Sequence, residues 1–433
     1  MNANVCLITY TTRYRTGGAE LERVAETLAR AKRGHGPEVR LHKVESKAEF
    51  VAAIDGIRGE GRHIEELHFI GHAGMYGPMF RTSAMPEQFS PHEWRTLSIP
   101  FAKEASAFFH ACRTARWFAP FFARTFGVRA WGYHWYTTFS SATDRFRWAL
   151  SGDGDLHLLG CPGKKSHGLL GSAAKYLGLV QAEEMKAFDP EIVGDEATYE
   201  QVAALYDAVF QDIRVRRDEW EWLSNQVLDA EGLRVLDIGC GNGALLDALS
   251  PRIASGVGVD RSPAMIALAK RRHSKSSNLA FERVTEPALP LPDQSVDVVV
   301  SLLSWRYLDW DPIMAEIRRV LAPGGRLLVV DMVTATPRFT DLPAIIRTSM
   351  KSLTTQWRNR PFRKALRSLV KDPRWTRMVQ YNPIRSEHEF VWYFESRFPG
   401  RKVETLNVGR HARVLAFDSG PLPTGEVAPQ SYP

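Results

Sequence analysis

The fold of the C-terminal half of this chain is decided by the stretch Val235-Leu236-Asp237-Ile238-Gly239-Cys240-Gly241-Asn242-Gly243. An apolar strand ends in an acid and three alternating glycines, and the run from Ala244 to Leu249 that follows has helical spacing. Glycines at a strand-to-helix turn let backbone N–H groups approach a ligand closely, because no side chain stands between them. The pattern therefore predicts a nucleotide-like cofactor at this turn.

Asp237 selects the kind of cofactor. Gly239, Gly241 and Ala244 also satisfy the dinucleotide fingerprint G-x-G-x-x-G/A, so a nicotinamide or flavin has to be weighed. A carboxylate two residues before the first glycine would repel a pyrophosphate at the turn, whereas it would attract the ammonium group of S-adenosylmethionine. We therefore expect S-adenosylmethionine.

A second apolar strand, Val257-Gly258-Val259-Asp260, also ends in an acid. Its carboxylate can accept hydrogen bonds from both hydroxyl groups of a ribose. The next residues, Arg261-Ser262-Pro263, open a helix, with Ser262 as the expected N-cap and proline at the first helical position.

The segment from Arg234 to Asp331 resembles the core of the class I S-adenosylmethionine-dependent methyltransferases, of the small-molecule type that includes quinone methyltransferases. Four motifs carry the resemblance in the family's order: VLDIGCGNG, VGVDRSPAMIALAK, LPLPDQSVDVVVSLLSWRYL from Leu289, and RRVLAPGGRLLVV from Arg318. The resemblance implies a Rossmann-like sheet of seven strands and a methyltransferase activity.

One departure concerns the third strand. The family usually has Asp there to hold the adenine amino group, but this chain has Val284-Thr285-Glu286, so Thr285 or Glu286 would have to substitute. The fourth strand delivers Ser301, Leu302 and Leu303 to the carboxyl edge of the sheet, where ligands collect. The predicted cofactor residues are Asp237, Gly239, Cys240, Gly241, Asn242, Gly243, Asp260, Arg261, Ser262, Thr285, Glu286, Ser301 and Leu302.

Length and composition bound the rest of the chain. At 433 residues it exceeds one ordinary domain, and its content of 44% hydrophobic and 24% charged residues is typical of globular proteins. No apolar run approaches the roughly 18 residues of a membrane span, and no basic region precedes the first apolar run, so we expect a cytoplasmic protein. The cysteines Cys6, Cys112, Cys161 and Cys240 form no C-x-x-C pair, which argues against disulfides and a metal site.

The formal charge of +7 is concentrated between Arg338 and Arg385, where Asp341 and Asp372 are the only acids. Over Pro361 to Val370 the apolar residues share one side of a helix, which favours a solvated basic face. Aromatic residues interleave with the basic ones, which also suits a membrane surface or another anionic ligand. No nucleic-acid-binding motif accompanies them.

The first part of the chain alternates predicted strands with predicted helices up to about Gly163, so we expect a second doubly wound parallel sheet. The predicted segments are an α/β domain (1–163), a linker (164–196), a methyltransferase domain (197–420) that contains a helical basic insertion (335–395), and a tail (421–433). A long helix over Ala197 to Val227 is expected to cover the cofactor site, with Tyr199 or Tyr206 in contact with it.

Two reactive side chains follow apolar strands of the first domain. The strand 67–70 leads into His72, and the strand 106–110 leads into Cys112. Side chains at the carboxyl ends of neighbouring parallel strands can meet, so His72 can serve as the base or ion-pair partner of Cys112. The arrangement resembles the caspase-like fold of clan CD cysteine peptidases. Here, however, Ala73 follows the histidine, and no specificity-pocket acid is evident.

Methyl transfer needs alignment and exclusion of water more than fixed catalytic groups, so the sequence does not identify the acceptor. His388, Glu387 and His411 are candidate bases, and the insertion is expected to build the acceptor pocket. Two alternatives remain open: a cysteine peptidase with a degenerate methyltransferase module, and a regulatory protein that senses S-adenosylmethionine. The oligomeric state is not predicted.

Overall fold

The computed structural model describes residues 4–34, 36–148, 154–163, 169–190, 199–227, 232–285, 287–335, 339–381, 384–409 and 412–422. The chain divides into two compact units, Met1–Gly194 and Asp195–Pro433. Each unit has its own α/β sheet and its own hydrophobic core. In the described part of the chain, no helix has both the length and the apolar character needed to cross a membrane.

The N-terminal unit contains twelve strands and five helices over its described residues. The strands are β1 (Asn4–Tyr10), β2 (Glu38–Lys43), β3 (His63–Ile70), β4 (Ala73–Gly74), β5 (Gly77–Pro78), β6 (Phe80–Arg81), β7 (Pro86–Glu87), β8 (Phe101–His110), β9 (Arg129–Gly132), β10 (Thr137–Ser140), β11 (His157–Gly160) and β12 (Lys186–Phe188). The helices are α1 (Gly18–Lys32), α2 (Lys47–Gly59), α3 (Pro91–Thr96), α4 (Phe118–Phe126) and α5 (Leu169–Tyr176).

Six of these strands form the main sheet, in the order β12-β9-β8-β3-β1-β2. All neighbours are parallel except β12, which runs antiparallel to β9 at the edge. Helices α2 and α4 contribute to an aromatic core around the fully buried Trp94, whose indole N–H donates to the Tyr76 carbonyl at 3.0 Å. Burial of each such large apolar side chain contributes about 1.5–3 kcal/mol.

The N-terminal unit extends beyond the boundary predicted from the sequence. The predicted linker, 164–196, contributes α5 and the edge strand β12, and the unit ends at Gly194. The glycines and prolines near Gly163 therefore mark turns inside this unit. Glycine and proline turns are found both at domain boundaries and inside domains. The pairing of β12 with β9 shows that these turns lie inside the N-terminal unit.

The C-terminal unit contains seven strands and nine helices over its described residues. The strands are β13 (Arg234–Ile238), β14 (Ser255–Asp260), β15 (Leu279–Arg283), β16 (Val296–Leu302), β17 (Leu321–Thr334), β18 (Glu404–Val408) and β19 (Ala412–Asp418). The helices are α6 (Ala203–Val209), α7 (Arg217–Val227), α8 (Ala244–Leu249), α9 (Pro263–Arg272), α10 (Trp310–Val320), α11 (Leu342–Arg358), α12 (Arg360–Lys371), α13 (Pro373–Tyr381) and α14 (Glu387–Arg397).

These seven strands form one sheet in the order β15-β14-β13-β16-β17-β19-β18. The first five strands are parallel, and β19 runs antiparallel to both of its neighbours. The predicted seven-stranded Rossmann-like sheet is therefore confirmed. Its parallel part brings the carboxyl ends of β13, β14 and β16 to one edge, where helix-connected sheets of this kind bind ligands.

The segment before β13 is broken, whereas the sequence predicts one long helix over Ala197 to Val227. Helix α6 ends at Val209, a short 3-10 turn covers Ile213–Val215, and α7 begins at Arg217. The Asp212 carboxylate accepts the Arg214 N–H at 2.9 Å, which favours a turn over a continuous helix. The break places residues from both pieces beside the cofactor turn. Of the two predicted contact tyrosines, Tyr206 lines this site, and nothing is described of the Tyr199 side chain.

Candidate functional site

The turn after β13 is anchored to the neighbouring strand. The N–H groups of Gly239 and Cys240 both donate to the carbonyl of Val259 on β14, at 2.8 and 3.0 Å. The glycines Gly239, Gly241 and Gly243 have φ angles of 77°, 54° and 79°. This left-handed conformation costs other residues about 1–2 kcal/mol, which explains why glycines alternate here.

Space adds a second requirement at two of these glycines. A Cβ atom on Gly239 would lie 2.3 Å from the Cβ of Ser304, and one on Gly243 would lie 2.7 Å from the Phe281 ring. A Cβ atom on Gly241 would meet no atom within 4 Å. The backbone of Gly241 is therefore open to a ligand.

A cleft with about 420 Å³ of empty space, partly open to solvent, adjoins this turn. Three parts of the C-terminal unit form its walls: the glycine turn with the start of α8, the end of β16, and the broken segment before β13. The lining residues are Tyr206, Phe210, Ile213, Arg216, Asp237, Gly239, Cys240, Gly241, Asn242, Ala244, Leu245, Leu302 and Leu303. Its position at the carboxyl edge of the sheet makes it the candidate cofactor site.

Asp237 is buried beside this cleft, with only 2% of its surface exposed. Its Oδ1 atom has no hydrogen-bond partner among the described residues. Burial, with a smaller contribution from the Asp260 carboxylate, raises the pKa of Asp237 to about 8. A buried carboxylate without a cation is unfavourable, so this position fits a ligand that brings a positive charge and N–H donors.

Asp260 connects the glycine turn to helix α9. One carboxylate oxygen accepts the Gly241 N–H and the other accepts the Ser262 N–H, both at 2.9 Å. Burial raises the pKa of Asp260, and these N–H groups oppose the increase. Ser262 caps α9 as predicted, because its hydroxyl accepts the Met265 N–H at 3.2 Å.

The wall formed by the broken segment was largely missed by sequence reasoning. Asn242 fastens it to the glycine turn, because its amide donates to the Asp207 carboxylate and the Phe210 carbonyl, both at 2.9 Å. The guanidinium carbon of Arg216 lies 3.9 Å from the centre of the Phe210 ring. Arg216 is therefore held beside the cleft by a cation–π contact. In the sequence, the asparagine of the glycine motif, Asn242, was the one signal that this turn binds another segment.

Leu303, which the sequence places at the carboxyl end of the fourth strand, also lines the cleft. Its φ angle is 58°, although leucine rarely adopts this conformation, and its N–H donates to the Val330 carbonyl at 2.7 Å. Strained backbone of this kind costs about 1–3 kcal/mol and often occurs at functional sites. The sequence does not predict this conformation, because the hydrogen-bond partner Val330 lies on a different strand, β17.

The predicted cofactor residues divide into two groups. Those that line the cleft are Asp237, Gly239, Cys240, Gly241, Asn242 and Leu302; those that do not are Gly243, Asp260, Arg261, Ser262, Thr285 and Ser301. Ser301 has a structural contact, since its buried hydroxyl donates to the Ile238 carbonyl at 3.2 Å. Thr285 is exposed, and Glu286 lies outside the described residues.

Of the candidate bases, Glu387 and His388 do not line the cleft. The carboxylate of Glu387 is ion-paired with Arg413, which also binds Asp341 at 2.6 Å, so Glu387 has a structural contact. His388 lies half-buried in the first turn of α14. His411 lies outside the described residues.

In the N-terminal unit, His72 follows β3 and Cys112 follows the neighbouring parallel strand β8. The Thr137 N–H lies 3.3 Å from the Cys112 Sγ atom and donates to it, and the Thr137 hydroxyl lies at the same distance. His72 Nε2 lies 3.2 Å from the Thr16 carbonyl, and burial lowers the pKa of this histidine. The two side chains share one sheet edge, and each has a different hydrogen-bond partner.

A polar cluster that the sequence does not indicate lies in the same sheet. Cys6, Glu66 and His68 have ligand atoms within 4.8 Å of one another, a spacing that could hold a metal ion. Lys32 Nζ already lies 2.6 Å from Glu66, and His110 Nε2 lies 3.1 Å from His68 Nδ1. The ammonium group thus occupies a cation's position beside the carboxylate. The cluster is therefore better described as a set of ion-paired and hydrogen-bonded side chains than as a metal site, and His110 belongs to it.

Comparison with known proteins bears on the C-terminal unit. Residues 236–329 match the family described as "Methyltransferase domain". A demethylmenaquinone methyltransferase of Thermus thermophilus is 37% identical over 102 residues, which is 23% of this chain and 46% of that protein. A fatty-acid O-methyltransferase of Mycolicibacterium smegmatis is 37% identical over 118 residues, 27% of this chain and 41% of that protein.

Among solved structures, a SAM-dependent methyltransferase from Aquifex aeolicus covers 52% of this chain and 99% of its own, with 20% identity and a TM-score of 0.33. A Haemonchus contortus phosphoethanolamine N-methyltransferase 2 in complex with S-adenosyl-L-methionine covers 56% of this chain and 63% of its own, with 16% identity and a TM-score of 0.35. The chain spans about half the length of the first curated relatives that it matches.

The C-terminal unit carries a methyltransferase domain. The match supports the methyltransferase class predicted from the sequence for this domain, and S-adenosylmethionine is the cofactor that its glycine motif predicts. The cleft beside Asp237 lies within and next to the matched residues, and the unpartnered Asp237 oxygen fits the ammonium group of this cofactor.

Proposed function

We propose that the C-terminal unit transfers a methyl group from S-adenosylmethionine to a small or lipid-like acceptor. The observation that carries the proposal is the buried Asp237 carboxylate, which has an oxygen without a described partner and lies beside the open backbone of Gly241. The bound cofactor would supply an electrophilic methyl group on a sulfonium. The cleft residues would bind and orient that cofactor.

Opposite charges in the cleft suit the amino-acid end of the cofactor. Asp237 would hold its ammonium group, and Arg216 would hold its carboxylate. Asp260 would hold the ribose hydroxyls, next to the Gly241 N–H that it already binds. The apolar side chains of Tyr206 and Phe210 would exclude water, which strengthens these charged contacts.

The acceptor class is proposed from the relatives' names and from the chemistry of methyl transfer. The matched relatives include a demethylmenaquinone methyltransferase, a fatty-acid O-methyltransferase and a phthiotriol/phenolphthiotriol dimycocerosates methyltransferase of Mycobacterium leprae. These names point to an apolar acceptor, and one of them names an oxygen as the methylated atom. An oxygen nucleophile would need a base, for which His388 and His411 are the candidates.

The test is methylation with S-adenosylmethionine labelled on its methyl group. The purified full chain is incubated with a cell extract, and the lipid, small-molecule and protein fractions are separated by mass. We expect label in an apolar small-molecule or lipid fraction, and none with an Asp237→Asn variant. Binding of the cofactor without any labelled product would instead favour a sensor of S-adenosylmethionine.

For the N-terminal unit we propose a caspase-like fold, with a role as a cysteine peptidase or as a scaffold. Its support is the sheet order with an antiparallel edge strand, together with His72 and Cys112 after adjacent parallel strands. The N–H of Thr137 that points at Cys112 Sγ would stabilise a thiolate. The reactivity of Cys112 distinguishes the two roles. The cytoplasmic location stays a prediction.

A further inference from the structure

Helix α11 exposes a stripe of large apolar side chains. Leu342, Ile346 and Met350 follow one another at intervals of four residues, so they share one helix face, and they are 60%, 51% and 62% exposed. Val370 on α12 and Val379 on α13 are also exposed. These five are most of the eight large apolar residues that are exposed in the described chain. Such a concentration marks an interaction surface.

The same three helices carry the positive charge of the protein. Residues 339–381 contain ten Arg and Lys and two Asp, a formal charge of +8, whereas the whole chain has +7. Both acids are already paired, Asp341 with Arg413 at 2.6 Å and Asp372 with Arg374 at 2.8 Å. Exposed basic residues of this surface are Arg347, Arg360, Lys364, Arg367, Lys371 and Arg374.

The other side of these helices is attached to the cofactor site. Helix α12 packs against α6 and buries Leu369, and α13 buries Met378. The Trp375 ring lies 6.4 Å from the ring of Tyr206, which lines the cleft. The helices that carry the exposed apolar and basic residues therefore pack beside the candidate cofactor cleft.

We propose that α11–α13 form a surface that binds an anionic lipid bilayer. An exposed aliphatic stripe within a strongly basic segment matches the two attractions at a bilayer interface, burial of apolar side chains and pairing with anionic headgroups. A nucleic acid would be attracted by the charges alone and would leave the aliphatic stripe in water. Bilayer docking would bring a lipid-like acceptor to the cleft, a consequence that rests on the proposed function.

The test is sedimentation of the full chain with vesicles, without cofactor, so that a failure of methyl transfer does not affect it. Vesicles of phosphatidylcholine alone are compared with vesicles that contain a third of phosphatidylglycerol, at low and high salt. We expect binding to the anionic vesicles to be at least tenfold stronger, and salt to weaken it.

Two sets of variants separate the two attractions. The triple change Leu342→Gln, Ile346→Gln and Met350→Gln should weaken binding at least tenfold, whereas Leu177→Gln with Leu179→Gln, at residues 73% exposed in the N-terminal unit, should leave it unchanged. The changes Lys364→Glu with Arg367→Glu should weaken binding to anionic vesicles only. The matched charge reversals Arg145→Glu with Arg217→Glu, at exposed sites outside this surface, should not.

Because all changed residues are exposed, we expect each variant to keep the thermal unfolding temperature of the unchanged protein within a few degrees. Equal binding to both kinds of vesicle, or unchanged binding of the triple variant, would overturn the proposal. Retention on a polynucleotide but not on vesicles would also overturn it.

Discussion

In the C-terminal sheet, the neighbouring strands β13 and β14 carry Asp237 and Asp260 at or next to their last residues. In the N-terminal sheet, the neighbouring strands β3 and β8 lead into His72 and Cys112. Parallel pairing brings each pair of side chains to one carboxyl edge. At the C-terminal edge a carboxylate oxygen lacks a described partner and a cleft adjoins it. At the N-terminal edge, threonines bind both Cys112 and His72.

The comparison shows that topology alone does not mark a ligand site. Both sheets place reactive groups together, but of these four side chains Asp237 alone combines burial, a raised pKa and a position in the cleft. Burying a carboxylate without a counterion is unfavourable, so its retention in the fold calls for a ligand that offsets the cost.

The largest effect is expected for Asp237→Asn. The variant cannot form the ion pair with the cofactor ammonium, so we expect the affinity for S-adenosylmethionine to fall about 100-fold or more, which corresponds to about 3 kcal/mol. The same change removes a buried carboxyl whose ionisation is unfavourable. At pH 8 the cofactor-free variant should therefore unfold at a higher temperature, with a gain of about 1–3 kcal/mol.

Calorimetric titration and thermal unfolding measure the two effects. Asp144→Asn in the N-terminal unit is the control, because its side chain is 72% exposed and the change should alter neither quantity appreciably. An affinity of Asp237→Asn equal to that of the unchanged protein would remove the distinction between the two sheet edges.

The pH dependence of cofactor binding is the second test. The pKa of Asp237 is raised to about 8 from an ordinary value of 3.8, so most of this carboxyl is protonated at neutral pH in the cofactor-free protein. The cofactor ammonium selects the ionised form, and binding must therefore release a proton. We expect affinity to rise by up to about tenfold per pH unit between pH 6 and about 7.5.

Calorimetry in buffers of different ionisation enthalpy measures the released proton. In the Asp237→Asn variant the residual binding should lose this proton release. Proton release of the same size in that variant would assign it to another group, and Asp260, whose pKa is also raised by burial, would be the next candidate.

Much of the cofactor turn could be predicted from sequence because each residue there answers a local requirement. Gly239 and Gly243 avoid both backbone strain and steric overlap, and Ser262 caps a helix. Each of these local requirements restricts the position to one or a few residue types, and the resulting pattern can be recognised in a sequence. The alternation of apolar strands with helices likewise predicts both sheets, because burial on two faces of a parallel sheet dictates the pattern.

The rest depended on packing between distant segments. Phe210, Ile213 and Arg216 line the cleft only because the helix before β13 breaks, and the continuous amphipathic pattern over 197–227 conceals that break. The extent of the N-terminal unit depended on a three-residue edge strand, β12, which is too short to give a pattern. Leu303 takes a left-handed conformation that its residue type disfavours.

Gly241→Ala is the third test, and it separates open space from backbone strain. The added methyl group meets no protein atom, so its effects are the cost of the left-handed backbone, about 1–2 kcal/mol, and intrusion on the ligand. We expect about tenfold weaker binding of S-adenosylmethionine. Gly324→Ala is the matched control, because its φ is 77° and its Cβ is equally unobstructed.

Both alanine variants should lose similar stability, and only Gly241→Ala should lose affinity. Thermal unfolding and calorimetric titration of the pair check this expectation. Equal affinities in the two variants would mean that the cofactor does not approach the backbone at Gly241.

The smallest effect is expected at the N-terminal edge. Cys112 is half-buried, whereas Cys6, Cys161 and Cys240 are buried, and burial raises the pKa of Cys6 to about 12. Exposure alone therefore predicts that Cys112 is alkylated several-fold faster than the other three near neutral pH. This rate, measured by mass spectrometry over a time course of iodoacetamide labelling, cannot by itself reveal a catalytic dyad.

The effect of His72 on the alkylation rate of Cys112 distinguishes a catalytic dyad from simple exposure of the thiol. If His72 acts as the base or ion-pair partner of Cys112, His72→Ala should slow alkylation about threefold or more, because the thiolate fraction falls. His63→Ala, at the exposed start of the same strand β3, should leave the rate unchanged. An unchanged rate in His72→Ala would mean that the Thr16 contact is the structural role of this histidine. The N-terminal edge would then hold no nucleophile–base pair, and the scaffold role would be favoured over peptidase activity.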